Sequence, residues 1–81
     1  MEAVYKVVYN HPNGDHYESP STTLKDMDDE CKVPHGTCTE EMLIETMKKL
    51  FKSRKSTRES NIQIIKTIGE DTIVIYEQKV F

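Results

Sequence analysis

The chain has 81 residues, 36% of them hydrophobic and 31% charged, with a formal net charge of −3. That length allows one domain with a thin core, because small domains bury a smaller share of their surface. The acidic balance argues against a protein built to coat nucleic acid, and no apolar run approaches the roughly 18 residues of a transmembrane helix.

The opening residues, MEAVYKVVYN, lack a basic stretch followed by an apolar one, so no secretory signal is expected and the expected location is cytoplasmic. Two cysteines are too few for a disulfide framework, and a reducing compartment keeps them as thiols.

Residues 3–19 predict a β-hairpin. AVYKVVY is rich in Val and Tyr, which suit a pleated surface, and alternation puts Tyr5, Val7 and Tyr9 on the more apolar side. Pro12-Asn13-Gly14 supplies the tip, since Pro presets φ and Gly accepts a positive one. The return strand, about Asp15 to Ser19, ends before Pro20. Residues 20–38 show neither helical nor strand period, and Ser, Thr, Asp, Pro and Gly dominate. A loop that long in a compact domain is expected to be functional or disordered. Leu24 and Met27 can anchor it, and a single helical turn fits around residues 24–30.

Residues 39–56 predict the helix on which a sheet would pack. Leu43, Met47, Leu50 and Phe51 recur at i, i+4, i+7 and i+8, which gathers them on one face of a helix turning every ~3.6 residues. Thr37 or Thr39 is the N-cap, and Thr37 with Glu40 has the spacing of a capping box. Glutamates lie near its start and bases near its end, which complements the helix dipole. Residues 61–80 predict a second hairpin around Gly69-Glu70-Asp71, with Ile and Val on both parities. Ile62 and Ile64 share one face of the first strand, Val74 and Tyr76 one face of the second. A hairpin covered by a single helix should have one apolar face. The second suggests a further cover, by another copy of the chain in a homodimer, by a partner or by the long loop, and a central sheet position with tolerated exposed Ile accounts for it equally well.

The predicted fold is therefore α+β, in the order β-β-α-β-β: an antiparallel four-stranded sheet with one helix on one face. Its expected core is Tyr5, Val7, Tyr9, Leu43, Met47, Leu50, Phe51, Ile62, Ile64, Val74 and Tyr76.

No catalytic motif appears, no catalytic residue is assigned and no cofactor is expected. Cys31, His35 and Cys38 bring three zinc-type ligands within eight residues, a weak alternative because structural zinc takes four and the spacing matches no common knuckle. A Cys38 thiol paired with His11 or His16 would lack the third group and oxyanion donor of a nucleophilic site. Asp26, Asp28, Asp29, Glu30, Glu40, Glu41 and Glu45 are seven acids against two bases over residues 25–45. They offer a surface for a basic partner, or one that mimics nucleic-acid phosphate. Lys48, Lys49, Lys52, Arg54, Lys55 and Arg58 then follow with no acid among them. Lys48, Lys52 and Lys55 are spaced to line one helix side, which would bind phosphate in a salt-sensitive way. Solvated charges on a loop and on the helix ends are the simpler account of both runs.

In being short, acidic and free of any visible signal or catalytic motif, the chain resembles the small early proteins with which bacteriophages take over a host. The resemblance implies a non-enzymatic protein that binds and inhibits or modulates a host transcription, replication, nucleoid or defence protein. It carries over no site residue. The alternative is a small DNA- or RNA-binding regulator working through the basic end of the helix.

Overall fold

The structure, a computed structural model, describes residues 2–81. Strands β1 (Val4–Asn10) and β2 (His16–Glu18) are followed by a one-turn helix α1 (Asp28–Cys31) and the main helix α2 (Glu40–Ser53). A short helix α3 (Lys55–Arg58) leads into strands β3 (Asn61–Ile68) and β4 (Asp71–Gln78). All strand pairs are antiparallel, and the sheet order is β2-β1-β3-β4. This is the α+β arrangement that the sequence predicts, with the sheet centre formed by the first and third strands.

The hairpin turns follow the glycines. Gly14 has φ 95° and Gly69 φ 60°, both in the region where a side chain is disfavoured. One face of the sheet packs on α2. Tyr5, Val7, Ile62 and Ile64 from the strands meet Leu43 and Phe51 from the helix, and Met27 and Cys38 close the cluster from the connecting segment. The Phe51 ring stands edge-on to Tyr9, with centroids 6.1 Å apart.

Two expected core members lie elsewhere. Leu50 is 44% exposed and Val74 47% exposed. Leu50 sits at the edge of the helical stripe, beyond the part that the sheet covers. Val74 is displaced by a β-bulge. Ile64 pairs with Tyr76 but Ile65 pairs with Val74, so Ile75 is the extra residue. An inserted residue changes which side chains share a face. Ile75 and Tyr76 both pack on the core, and Val74 goes with Ile65 to the opposite face. Tyr9, Met47 and Tyr76 are only partly buried at the margin of the core.

The segment 20–38 is built rather than loose. Thr22 exchanges two backbone hydrogen bonds with Tyr5, at 2.7 and 2.8 Å, prolonging the edge next to β1. Met27 is buried and Leu24 packs on the core. The helical turn falls at residues 28–31, at the end of the stretch where it was expected.

The main helix ends three residues before the predicted boundary, because Arg54 is extended (φ −118°, ψ 134°). Its cap is Thr39, whose hydroxyl accepts from the Met42 N–H. The capping box of Thr37 with Glu40 does not form. The Thr37 hydroxyl donates to the Pro34 carbonyl, and Glu40 turns toward the sheet.

Candidate partner-binding groove

Helix α2 covers the middle of the sheet, and the segment 19–30 folds over the side of β1 away from β3. Between them runs a groove of about 460 Å³. Tyr5, Val7, Tyr9 and Ile64 form its floor, Leu43, Met47 and Leu50 one wall, and Pro20 and Met27 lie on the other. The exposed Leu50 is its lip, and the same side chain borders two smaller hollows on either side. Core residues therefore meet solvent through an open slot, and a large apolar side chain stands beside it.

Asp26 and Glu30 also line this groove, and neither makes an ion pair among the described residues. Lys6, the one base lining it, is already paired with Glu18 at 2.6 Å. The rim is thus acidic and uncompensated around an apolar floor.

The seven acids singled out in the sequence do not form one surface. Asp28 is buried, and its carboxylate accepts from the backbone N–H groups of Gly36 (2.7 Å) and Cys38 (3.0 Å). Those bonds, the one to Gly36 first, hold its carboxyl below the usual range. It organises the loop and is withdrawn from any partner surface. The Glu40 carboxylate takes the Tyr5 hydroxyl at 3.0 Å and the Lys66 ammonium at 2.7 Å, so it joins helix to sheet. Glu41 and Glu45 lie on α2 with Lys48, whose ammonium pairs with Glu45 and sits 5.8 Å from the centre of the Tyr76 ring. That is the β4 side of the helix, whereas Thr46 on the opposite side touches Cys31 of α1. Asp26 and Glu30 remain at the groove, and Asp29 lines a separate hollow with Lys25, Asp26 and His35.

The bases are also divided. The break at Arg54 puts Lys55 and Arg58 on α3, so Lys48, Lys52 and Lys55 do not continue one helical line. Lys49, Lys52, Arg54, Lys55 and Arg58 form no ion pair among the described residues.

Of the three zinc-type ligands, the structure brings two together. The Cys38 thiol donates to the Cys31 sulfur at 3.2 Å, while the exposed His35 imidazole lies 3.7 Å from Asp28. No group of three His, Cys, Asp or Glu side chains disposed to hold a metal occurs among the described residues. Neither histidine proposed for Cys38 reaches it. His16 bonds Asn10 and Glu18, and His11 bonds Ser60.

The His11–Ser60 pair was not legible in the sequence, its members being 49 positions apart. It resembles a base and a nucleophile, but Ser60 is fully buried and its hydroxyl proton goes to the Ser56 carbonyl. His11 must then donate from Nδ1 to the Ser60 oxygen. The pair ties the first hairpin to the start of β3.

No family model matches this sequence, and neither a curated protein nor a solved structure matches it. Among the described residues no helix is long and apolar enough to cross a membrane.

Proposed function

We propose that the protein is a non-enzymatic binding module that inhibits or modulates a partner macromolecule, a host protein if the phage-like character is a guide to its origin. The occupant of the groove is a protein segment that offers apolar anchors to the floor and Lys or Arg side chains to Asp26 and Glu30. The observation that carries this reading is Leu50: a large apolar side chain held half in water beside an open apolar slot with an uncompensated acidic rim. Binding energy concentrates in such anchors, and rim charges steer the approach of the partner.

Immobilised protein should retain a stoichiometric protein partner from host lysate. Leu50→Glu should weaken retention at least about tenfold, the size of an anchor residue's effect, while the variant still melts cooperatively, within about 10 °C of the native chain. Asp26→Lys with Glu30→Lys should slow association and reduce its salt dependence. Retention that is indifferent to all three positions, or no stoichiometric partner at all, overturns the reading.

The unpaired Lys49, Lys52, Arg54, Lys55 and Arg58 favour a second reading, a DNA- or RNA-binding regulator. Retarded migration of nucleic acid at low salt, lost on reversing these charges, would replace the first reading with it.

A further inference from the structure

The geometry points to a dithiol–disulfide exchange site at Cys31 and Cys38 that reacts with small anionic disulfides. The two sulfurs are free and 3.2 Å apart, although they belong to different elements, the end of α1 and the entry to α2. Their approach is imposed by the loop between them. The Asp28 carboxylate pins the Gly36 and Cys38 amides, and Lys32 turns the chain back at φ 57°.

The two thiols differ in access. Cys38 is 9% exposed, and burial, then its contact with Cys31, pushes its thiol up to about 12. Cys31 is half-buried and opens on a cleft of about 370 Å³. The Thr46 hydroxyl donates to the Cys31 sulfur at 3.4 Å, so two donors converge on that atom. Lys32 and Lys49 line the cleft together with Glu30, none of the three has an ion pair among the described residues, and the two bases outweigh the one acid. A disulfide bearing carboxylates fits such a cleft better than a neutral one.

The chemistry balances as two exchanges. The Cys31 thiol, having lost its proton to water, attacks one sulfur of the incoming disulfide. A Cys31–S–S–R bond forms, and one thiolate leaves and takes up a proton. The Cys38 sulfur, deprotonated in turn, then attacks Cys31 Sγ and expels the second thiolate, which is likewise protonated. Two protein thiols are oxidised and one external disulfide is reduced to two thiols. The product ties α1 to the entry of α2. The cleft shares Glu30 and Leu50 with the groove, but the exchange itself needs no groove occupant.

Oxidised glutathione is the probe, and intact mass with iodoacetamide labelling is the readout. The native chain should lose two hydrogens, keep no glutathione at the end point and become inert to iodoacetamide, and a dithiol reductant should restore it. Cys38→Ser should stop at one glutathione on Cys31. Cys31→Ser should react at least about tenfold more slowly, since its remaining thiol is shielded. Lys49→Glu should slow the reaction with glutathione disulfide severalfold but not that with neutral hydroxyethyl disulfide. A native chain that stops at the mixed disulfide, or one in which denaturant does not slow closure, overturns the site. Equal rates for the two single-cysteine variants overturn the order of attack on which it rests.

Discussion

The Tyr5 hydroxyl donates to the Glu40 carboxylate at 3.0 Å, joining the central strand β1 to the first turn of α2, and the Lys66 ammonium meets the same oxygen from β3 at 2.7 Å. The Lys66 bond is the main cause that holds the Glu40 carboxyl below its ordinary value. A carboxylate depressed in the folded state adds stability above its unfolded value, and loses it as pH falls through the folded one. Burial, then the bond to Glu40, pushes Tyr5 up to about 12. Its contribution runs the other way, complete below the ordinary phenol value of about 10 and lost as pH rises toward the folded one. Melts across pH should therefore show an acid limb and an alkaline limb. Glu40→Gln should lower the neutral melting temperature by about 4–8 °C, the equivalent of ~1 kcal/mol for a partly exposed pair, and flatten the acid limb. Tyr5→Phe should flatten the alkaline limb. An acid limb of the same slope in Glu40→Gln would remove this carboxylate from the linkage.

Asp28 shows how a residue that looks like surface charge becomes a structural one. Its carboxylate serves two backbone donors that no other group meets, so Asp28→Ala should release the loop from residue 32 to residue 38. Hydrogen exchange at the Gly36 and Cys38 amides should rise at least about tenfold, because protection there reports local opening. The depressed carboxyl means that acid should have the same effect on the native chain, as protonation removes an acceptor. Unchanged exchange at these two amides in Asp28→Ala would mean that the backbone alone holds the loop.

The fold was legible wherever a period was long. The alternation of Tyr5, Val7 and Tyr9, the Leu43–Met47–Phe51 stripe and the Ile62–Ile64 pair all place their residues on the right face. What failed was local. A bulge shifts the parity of β4 without any Gly or Pro to announce it, so Val74 was assigned to the wrong side. The sequence shows Leu50 in phase with the helical stripe but not how far the sheet reaches beneath it. The groove depends on that shortfall, so it could not be seen in one dimension. Charge is additive along a chain but not across a surface, and the acids of residues 26–45 are split by burial, by Glu40's turn to the sheet and by the two sides of α2.

Leu43 and Leu50 provide the direct test of where the core ends. Leu43 is 1% exposed and belongs to the core cluster that joins the sheet, the helix and the connecting segment. Leu43→Ala should cost about 2–5 kcal/mol, the range for a buried leucine that leaves a cavity. Leu50→Ala should cost less than about 1 kcal/mol, since nearly half of its side chain is already in water. Denaturant unfolding of the two variants measures both values. A larger loss for Leu50→Ala would mean that the groove is closed in solution.

Self-association should involve the free edge of β4 rather than the outer sheet face. On that face Val8 is already 6% exposed, between Glu18 and Gln63 on the neighbouring strands. The Lys6–Glu18 and Gln63–Glu77 pairs lay further polar groups across it. Strand β4 has a neighbour on one side only, and its central residues Ile73 and Val74 are 57% and 47% exposed on opposite faces. An unpaired apolar edge is a template for another strand. Two copies of Asp71–Gln78 laid antiparallel about their centre would set Ile73 opposite Tyr76 and Val74 opposite Ile75, with no acid facing an acid. Light scattering should give a weight-average mass that rises above the 9.4 kDa monomer with concentration. Ile73→Lys should hold it at the monomer value, because a charge on an edge strand opposes pairing. A native chain that stays monomeric at every concentration would show that the bulge at Ile75 is enough to close the edge.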